Sequence, residues 1–211
     1  FGEENVGLYQ LVFPVYALGI SFSCAGTELA LSRCVAQENA AGHPEKAKEL
    51  LKTGLIFTFV LSCILTIFLQ HNAHMTAISF LHDSRCEELL ILLSYTFPFA
   101  SIHSCICGYS LGLKQTKIPA VSQLFEQTFR ILFVFLFCYY RTSHQLDLSI
   151  SFAVVGLAMG EIFASCYCLY SIHHTASKQV QNLLSASTFC IHLSRLFRHA
   201  FPLTASRVLL N

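Results

Sequence analysis

Hydrophobic and polar positions along this chain fall in long blocks rather than in alternation. Five apolar stretches, at roughly 7–31, 48–70, 88–112, 118–140 and 149–172, each reach the ~20 helical residues needed to cross a hydrocarbon core of ~30 Å. A sixth begins near Leu196 and runs to Asn211. No stretch keeps the period-two pattern of a transmembrane strand. The connections are short, so neighbouring spans are expected to be antiparallel and adjacent. The pattern predicts an all-α, polytopic transmembrane helix bundle.

One segment breaks its own pattern. VSQLFEQTFRIL, residues 121–132, lies inside the fourth apolar stretch yet carries Gln123, Glu126, Gln127 and Arg130. At 100° per residue these four share one helical face, with Phe125, Phe129, Leu132 and Leu136 on the opposite face. The Phe/Leu side is expected to meet lipid and the polar side protein or water. Arg130 lies near the middle of the span, where an ionised residue costs on the order of 3 kcal/mol. Glu126 stands one turn earlier, in reach of an ion pair. Two readings follow: a pair that neutralises itself and fixes packing, or the wall of a cavity that contacts a polar substrate.

Other polar residues inside the spans are Glu28, Glu161 and Arg207. Glu28, close to the end of its span, reads as a water-accessible group without a role. Glu161, mid-span, reads either as a group that titrates with a coupling ion or as a hydrogen-bonding partner of a neighbour. Arg207 has no acidic residue within a turn, so its partner must lie on another helix or on a ligand. Small residues mark packing faces: Ser104, Gly108 and Gly112 in the third span, and Gly156, Gly160 and Ala164 in the fifth. Pro14, Pro98 and Pro202 are expected to kink their spans.

Composition narrows the class. The 211 residues are 54% hydrophobic and only 12% charged, about half the charge of a soluble domain. The net charge of +1 gives no field for nucleic acid. Arg33, Lys46, Lys48, Lys52, Lys114, Lys117, Lys178, Arg195 and Arg198 fall in one set of loops and only Arg85 and Arg141 in the other. The richer side is expected to be cytoplasmic. In GHPEKAKELLK, Pro44 and Glu45 mark the start of a cytoplasmic helix. Most of the ten Cys sit in apolar runs and read as small hydrophobes rather than a disulfide framework. His71, His74 and His82–Asp83 share an outward loop, but nothing fixes them as a metal site. No nucleophile elbow, phosphate-binding glycine loop or paired-carboxylate motif appears, so neither an enzyme nor a cofactor is expected. The chain starts at Phe1 and ends inside an apolar run, and it reads as a fragment cut at both ends.

Several motifs resemble one superfamily. GLYQLVFPVYALGISFSCAGTELALSR at 7–33 resembles the second helix of the multidrug/oligosaccharidyl-lipid/polysaccharide flippases, most closely their stage V sporulation protein B-like, polysaccharide-biosynthesis branch. CGYSLGLKQTKIPAVSQLFEQTFRI at 107–131 resembles that branch's fourth-to-fifth helix region, and GLAMGEI and AFPLTASRVLL its sixth helix and the opening of its seventh. Gln123, Glu126, Gln127 and Arg130 match the family pattern residue by residue, as do Ser32 and Arg33. Two departures stand out. Glu28 occupies the place of a usual Pro, and residues 8–27 lack the arginines that lipid II flippases carry there.

The resemblance implies helices two to seven of a longer protein. Residues 1–195 would be the N-terminal lobe and 196–211 the truncated start of the second, with one further helix upstream and at least six downstream. It implies a bacterial cytoplasmic-membrane flippase that moves lipid-linked oligosaccharide or a cell-wall precursor by alternating access. Arg130, Glu126, Gln123, Gln127, Arg207 and Arg33 would contact substrate, and Glu161 would serve a coupling proton or sodium ion. The expected partners are a lipid-linked saccharide and membrane lipid, with no nucleic acid. The rivals are a drug/cation antiporter of the same superfamily, a membrane-embedded polysaccharide polymerase or ligase, and an assembly scaffold.

Overall fold

The computed structural model describes residues 3–143, 150–176 and Leu196, and its described elements are helical. Helix α1 (Glu3–Ile20) passes through a π-helical turn (Ser21–Ala25) into α2 (Gly26–Ala40). Helix α3 (Pro44–His71) is followed by a short α4 (Ala73–Met75) and a second π-helical turn (Thr76–Phe80). Then come α5 (Cys86–Ser94), α6 (Thr96–Gly112), α7 (Lys117–Ser143) and α8 (Ser151–Ala176). Four continuous stretches are long and apolar enough to span a membrane: Gly7–Ala40, Pro44–His71, Lys117–Arg141 and Ser151–His174. Helices α5 and α6 together make a fifth, bent by 40°.

Local chemistry explains where these helices start, stop and bend. Pro44 opens α3 at its first position, where a missing N–H costs nothing. Gly42 ends the preceding helix with φ +77°, the left-handed conformation that glycine adopts without strain. Pro98 has no N–H to donate to the carbonyl four residues back. That carbonyl belongs to Ser94, at the α5–α6 break, and the Thr66 hydroxyl of α3 donates to it at 3.0 Å. The bend is therefore set by a proline and sealed by a neighbouring helix. Pro14, by contrast, lies within an unbroken α1, and the irregularity of that span is the π-helical turn seven residues further on.

Small residues let the helices meet backbone to backbone. A Cβ on Gly108 would stand 2.5 Å from the Glu28 carbonyl oxygen, and one on Gly112 2.7 Å from that of Ser32. These contacts join α6 to α2. On α8, a Cβ on Gly160 would stand 2.7 Å from the Glu126 carbonyl oxygen of α7. Both small-residue faces read from the sequence are thus helix–helix seams.

Seating α7 on those glycines changes the fate of its aromatic side. Phe125 meets Tyr167 with ring centroids 5.0 Å apart, and Phe129 stacks on Phe163 at 4.0 Å. Phe129 is half-buried at the α7–α8 seam, whereas Phe125 flanks the seam and stays exposed, as do Leu132 and Leu136.

Apolar cores form at the two ends of the bundle. One gathers Leu8, Val12 and Tyr16 with Leu89, Leu90, Phe97, Val154 and Leu157. The other gathers Leu31, Val35, Leu50 and Leu51 with Cys105 and Leu196. Between them α3 presents buried hydroxyls to α5 and α6: Ser62 donates to Ser101 at 3.2 Å, and Gln70 to Ser94 at 3.1 Å. The polar site lies between the two ends, on the other side of α6.

Candidate functional site

The site is assembled by side chains from every long helix except α3. Helix α7 contributes Ser122, Gln123, Glu126, Gln127 and Arg130. Glu126 is 9 residues and Arg130 13 residues beyond the start of α7 at Lys117, or about 14 and 20 Å along the axis. Glu161 comes from the middle of α8, and His103, Ser104 and Cys107 from α6. Cys24 and Glu28 come from the π-helical turn and the start of α2.

Two cavities open among these residues. The first, about 250 Å³, is lined by Glu28, His103, Ser104, Cys107, Gln123, Glu126 and Glu161 among others. The second, about 300 Å³, is lined by Tyr16, Ser21, Glu126, Arg130 and Glu161, with Phe13, Ala17, Ile20 and Leu157 completing its wall. Glu126 and Glu161 border both.

Arg130 donates through Nη2 to the Glu126 carboxylate and through Nη1 to Gln127 Oε1 at 3.4 Å. Its Nε–H is buried without a hydrogen-bond partner in the structure. Behind the pair, His103 Nδ1 lies 3.3 Å from Glu161 Oε2, and His103 Nε2 lies 3.0 Å from Ser122 Oγ. Ser122 donates its own proton to the Pro119 carbonyl at 2.9 Å, which leaves its oxygen free to accept. The ligating atoms of His103, Glu126 and Glu161 all lie within 4.8 Å of one another. Two ionised carboxylates at that spacing repel by about 3–4 kcal/mol at an effective dielectric near 20. A proton, a cation or the Arg130 guanidinium has to offset that repulsion.

The residues singled out in the sequence divide cleanly. Arg130, Glu126, Gln123 and Glu161 line the cavities. Gln127 is exposed beside Arg130 and touches the site only through its hydrogen bond. Arg33 is exposed on α2 and lines neither cavity. Arg207 lies outside the described residues.

Two more residues join the site: Glu28, read as a group without a role, and His103, which the sequence reading did not single out. Glu28 is part of the first cavity wall, where the Ser104 hydroxyl donates to its Oε2 at 3.2 Å. His103 is the hub of the polar cluster. The signal for it was present, since a histidine inside an apolar span is itself an intramembrane ionisable group. The sequence also places histidines in the outward loop. Of those, His74 pairs with Glu87 at 2.7 Å and His82 with the Phe80 carbonyl at 3.4 Å. Among the described residues, both groups of three or more potential metal ligands contain His103.

Comparison with known proteins gives a consistent picture. The family model described as polysaccharide biosynthesis protein matches residues 1–211. Stage V sporulation protein B of Bacillus subtilis (strain 168) is 27% identical over 212 residues, which cover 100% of this chain and 41% of that protein. Lipid II flippase MurJ of the same organism is 27% identical over 141 residues, covering 63% of this chain and 26% of that one. The chain therefore spans less than half the length of these relatives. A solved structure of an inward-facing multidrug resistance MATE family transporter of the MOP superfamily matches in fold, with a TM-score of 0.68 at 16% identity. That match covers 98% of this chain and 47% of the other.

Proposed function

The chain belongs to the polysaccharide biosynthesis protein family, among the multi-pass bacterial membrane proteins of the flippase superfamily, and from that premise we propose that it moves a lipid-linked saccharide across the cytoplasmic membrane by alternating access. A sugar–pyrophosphate headgroup cannot cross ~30 Å of hydrocarbon unaided. It needs a polar, cationic path while its polyprenyl tail stays in lipid. One observation carries the reading: Arg130, mid-span and paired with Glu126, lines a cavity wall with its side chain still partly exposed. A phosphate oxygen entering that cavity would meet the guanidinium, whose planar fork suits phosphate better than a point charge does. Glu126 holds the guanidinium in place, and Gln123 and Gln127 extend the polar face toward the sugar. Arg33 and Arg207 complete the proposed substrate contacts, Arg33 on the cytoplasmic approach. The names of the relatives support a cell-envelope precursor as cargo, and rocking of one lobe against another would supply alternating access.

Among the described cavity-lining residues the carboxylates Glu28, Glu126 and Glu161 outnumber the one arginine. That surplus supports Glu161 as the group that takes up a coupling proton or sodium ion. It also favours one second reading, a drug/cation antiporter of the same superfamily. Drug efflux that vanishes in Glu161→Gln while saccharide export persists would select the antiporter.

The test of the main reading is the neutral double variant Glu126→Gln/Arg130→Gln in the full-length protein. Removing both charges avoids the buried lone charge that makes single changes costly. The double variant is expected to reach the membrane and to lose export, and Arg130→Lys to retain part of it. Normal export by a well-expressed double variant would end the substrate role assigned to Arg130.

A further inference from the structure

His103 presents two ring nitrogens, Nδ1 toward Glu161 and Nε2 toward Ser122. Its Nε2 side faces a second group of ligands. Cys107 lies one turn further along α6, on the same helical face, and Cys168 reaches in from α8. The ligating atoms of His103, Cys107 and Cys168 lie within 4.8 Å of one another. Ser122 joins them from α7, with its hydroxyl 3.0 Å from His103 Nε2 and 3.6 Å from Cys107 Sγ. Cys168 is fully buried, Cys107 nearly so, and the His103 side chain is 14% exposed. We propose that His103, Cys107 and Cys168 form an intramembrane zinc site that ties α6 to α8, with Ser122 or a water at the fourth position.

Donor chemistry selects the ion. Mg²⁺ and Ca²⁺ take oxygen ligands, whereas thiolate and imidazole together suit Zn²⁺ and Cu⁺. Charge then separates those two. Zn²⁺ with two thiolates and a neutral imidazole sums to zero, a burden that hydrocarbon tolerates, whereas Cu⁺ with the same set leaves a net negative charge. On binding, both thiols give up their protons, and Cys107 borders the 250 Å³ cavity through which ion and protons can pass.

The geometry requires little movement. Zn–S bonds of ~2.3 Å in a tetrahedron set the sulfurs about 3.8 Å apart, so donors now within 4.8 Å draw together by about 1 Å or less. The remaining ring nitrogen is also provided for. Glu161 Oε2, 3.3 Å from Nδ1, accepts the Nδ1–H and leaves Nε2 for the metal, the carboxylate–histidine–zinc arrangement that fixes ring and tautomer. The alternative oxygen-rich group, His103 with Glu126 and Glu161, is less available because Glu126 is held by Arg130.

The experiment is a metal analysis of the full-length protein, expressed with zinc in the medium, kept reduced and purified in detergent without chelator. About one zinc per chain is expected. Stripping with chelator should expose two further thiols to titration and lower the unfolding temperature, and Zn²⁺ should restore both. Cobalt added to the stripped wild type should give a thiolate-to-metal charge-transfer band. Cys107→Ser/Cys168→Ser should lose the metal. Cys105→Ser, whose side chain faces Gly54 on α3, should keep it. Glu161→Gln should keep it with affinity weakened about 10–100-fold. Full zinc in the double serine variant would overturn the proposal. So would wild-type protein that takes up neither zinc nor cobalt, a result that needs no variant to fold. A Cys107–Cys168 disulfide in the reduced preparation would overturn it as well.

Discussion

Replacing Gly160 by alanine tests the seam on which the candidate site is built. The added Cβ would stand 2.7 Å from the Glu126 carbonyl oxygen and 3.4 Å from Arg130 Cβ. Carbon and oxygen settle at about 3.3 Å or more, so α7 and α8 must part by roughly 0.6 Å at the turn that carries Glu126 and Arg130. Overpacking of this kind costs about 1–3 kcal/mol. Alanine returns about 1 kcal/mol of helix propensity, for a net loss of up to about 2 kcal/mol. Gly7 is the matched control. A Cβ there meets nothing within 4 Å, so Gly7→Ala keeps the propensity gain without the clash. Denaturation midpoints in detergent should therefore move in opposite directions, down for Gly160→Ala and level or up for Gly7→Ala. The proposed saccharide export should fall only in the former, because the displaced turn holds the cavity wall. Equal midpoints and equal export for the two variants would mean that α7 and α8 do not approach this closely, and the position of Arg130 would lose its basis.

Topology is checked by single-cysteine labelling: His74→Cys should react from outside intact cells, and Lys46→Cys only after permeabilisation. The reverse pattern would sink the orientation drawn from the lysine and arginine bias. Thr66→Val removes the hydroxyl that caps the Ser94 carbonyl left free by Pro98 and should cost about 1–3 kcal/mol. In a Pro98→Ala background, where residue 98 can supply an N–H, the same change should cost less. A full cost in both backgrounds would separate the bend from its cap.

Much of this protein can be read along the chain, because a bilayer imposes a one-dimensional rule. Hydrocarbon thickness sets the length of a span, so the apolar stretches coincide with helices. The break at Tyr95 follows from Pro98, since the carbonyl it frees is fixed four residues away. Period also tells which face of a helix is special: Gln123, Glu126, Gln127 and Arg130 on α7, glycines on α6 and α8.

What period cannot tell is which helix each face meets. Repetition along one helix encodes an angle about that helix's own axis, whereas a neighbour is chosen by the packing of the whole bundle. So Phe129, read as lipid-facing, is half-buried against Phe163 of α8. Glu28, read as peripheral, meets Ser104 of α6, because Gly108 lets the two backbones nearly touch. His103 gained its place only when α6, α7 and α8 closed around it, bringing Ser122 from 19 residues away and Glu161 from 58. The polar residues could be listed from the chain alone. Their convergence on one cavity required the tertiary structure, since buried charge finds its partners across space rather than along sequence.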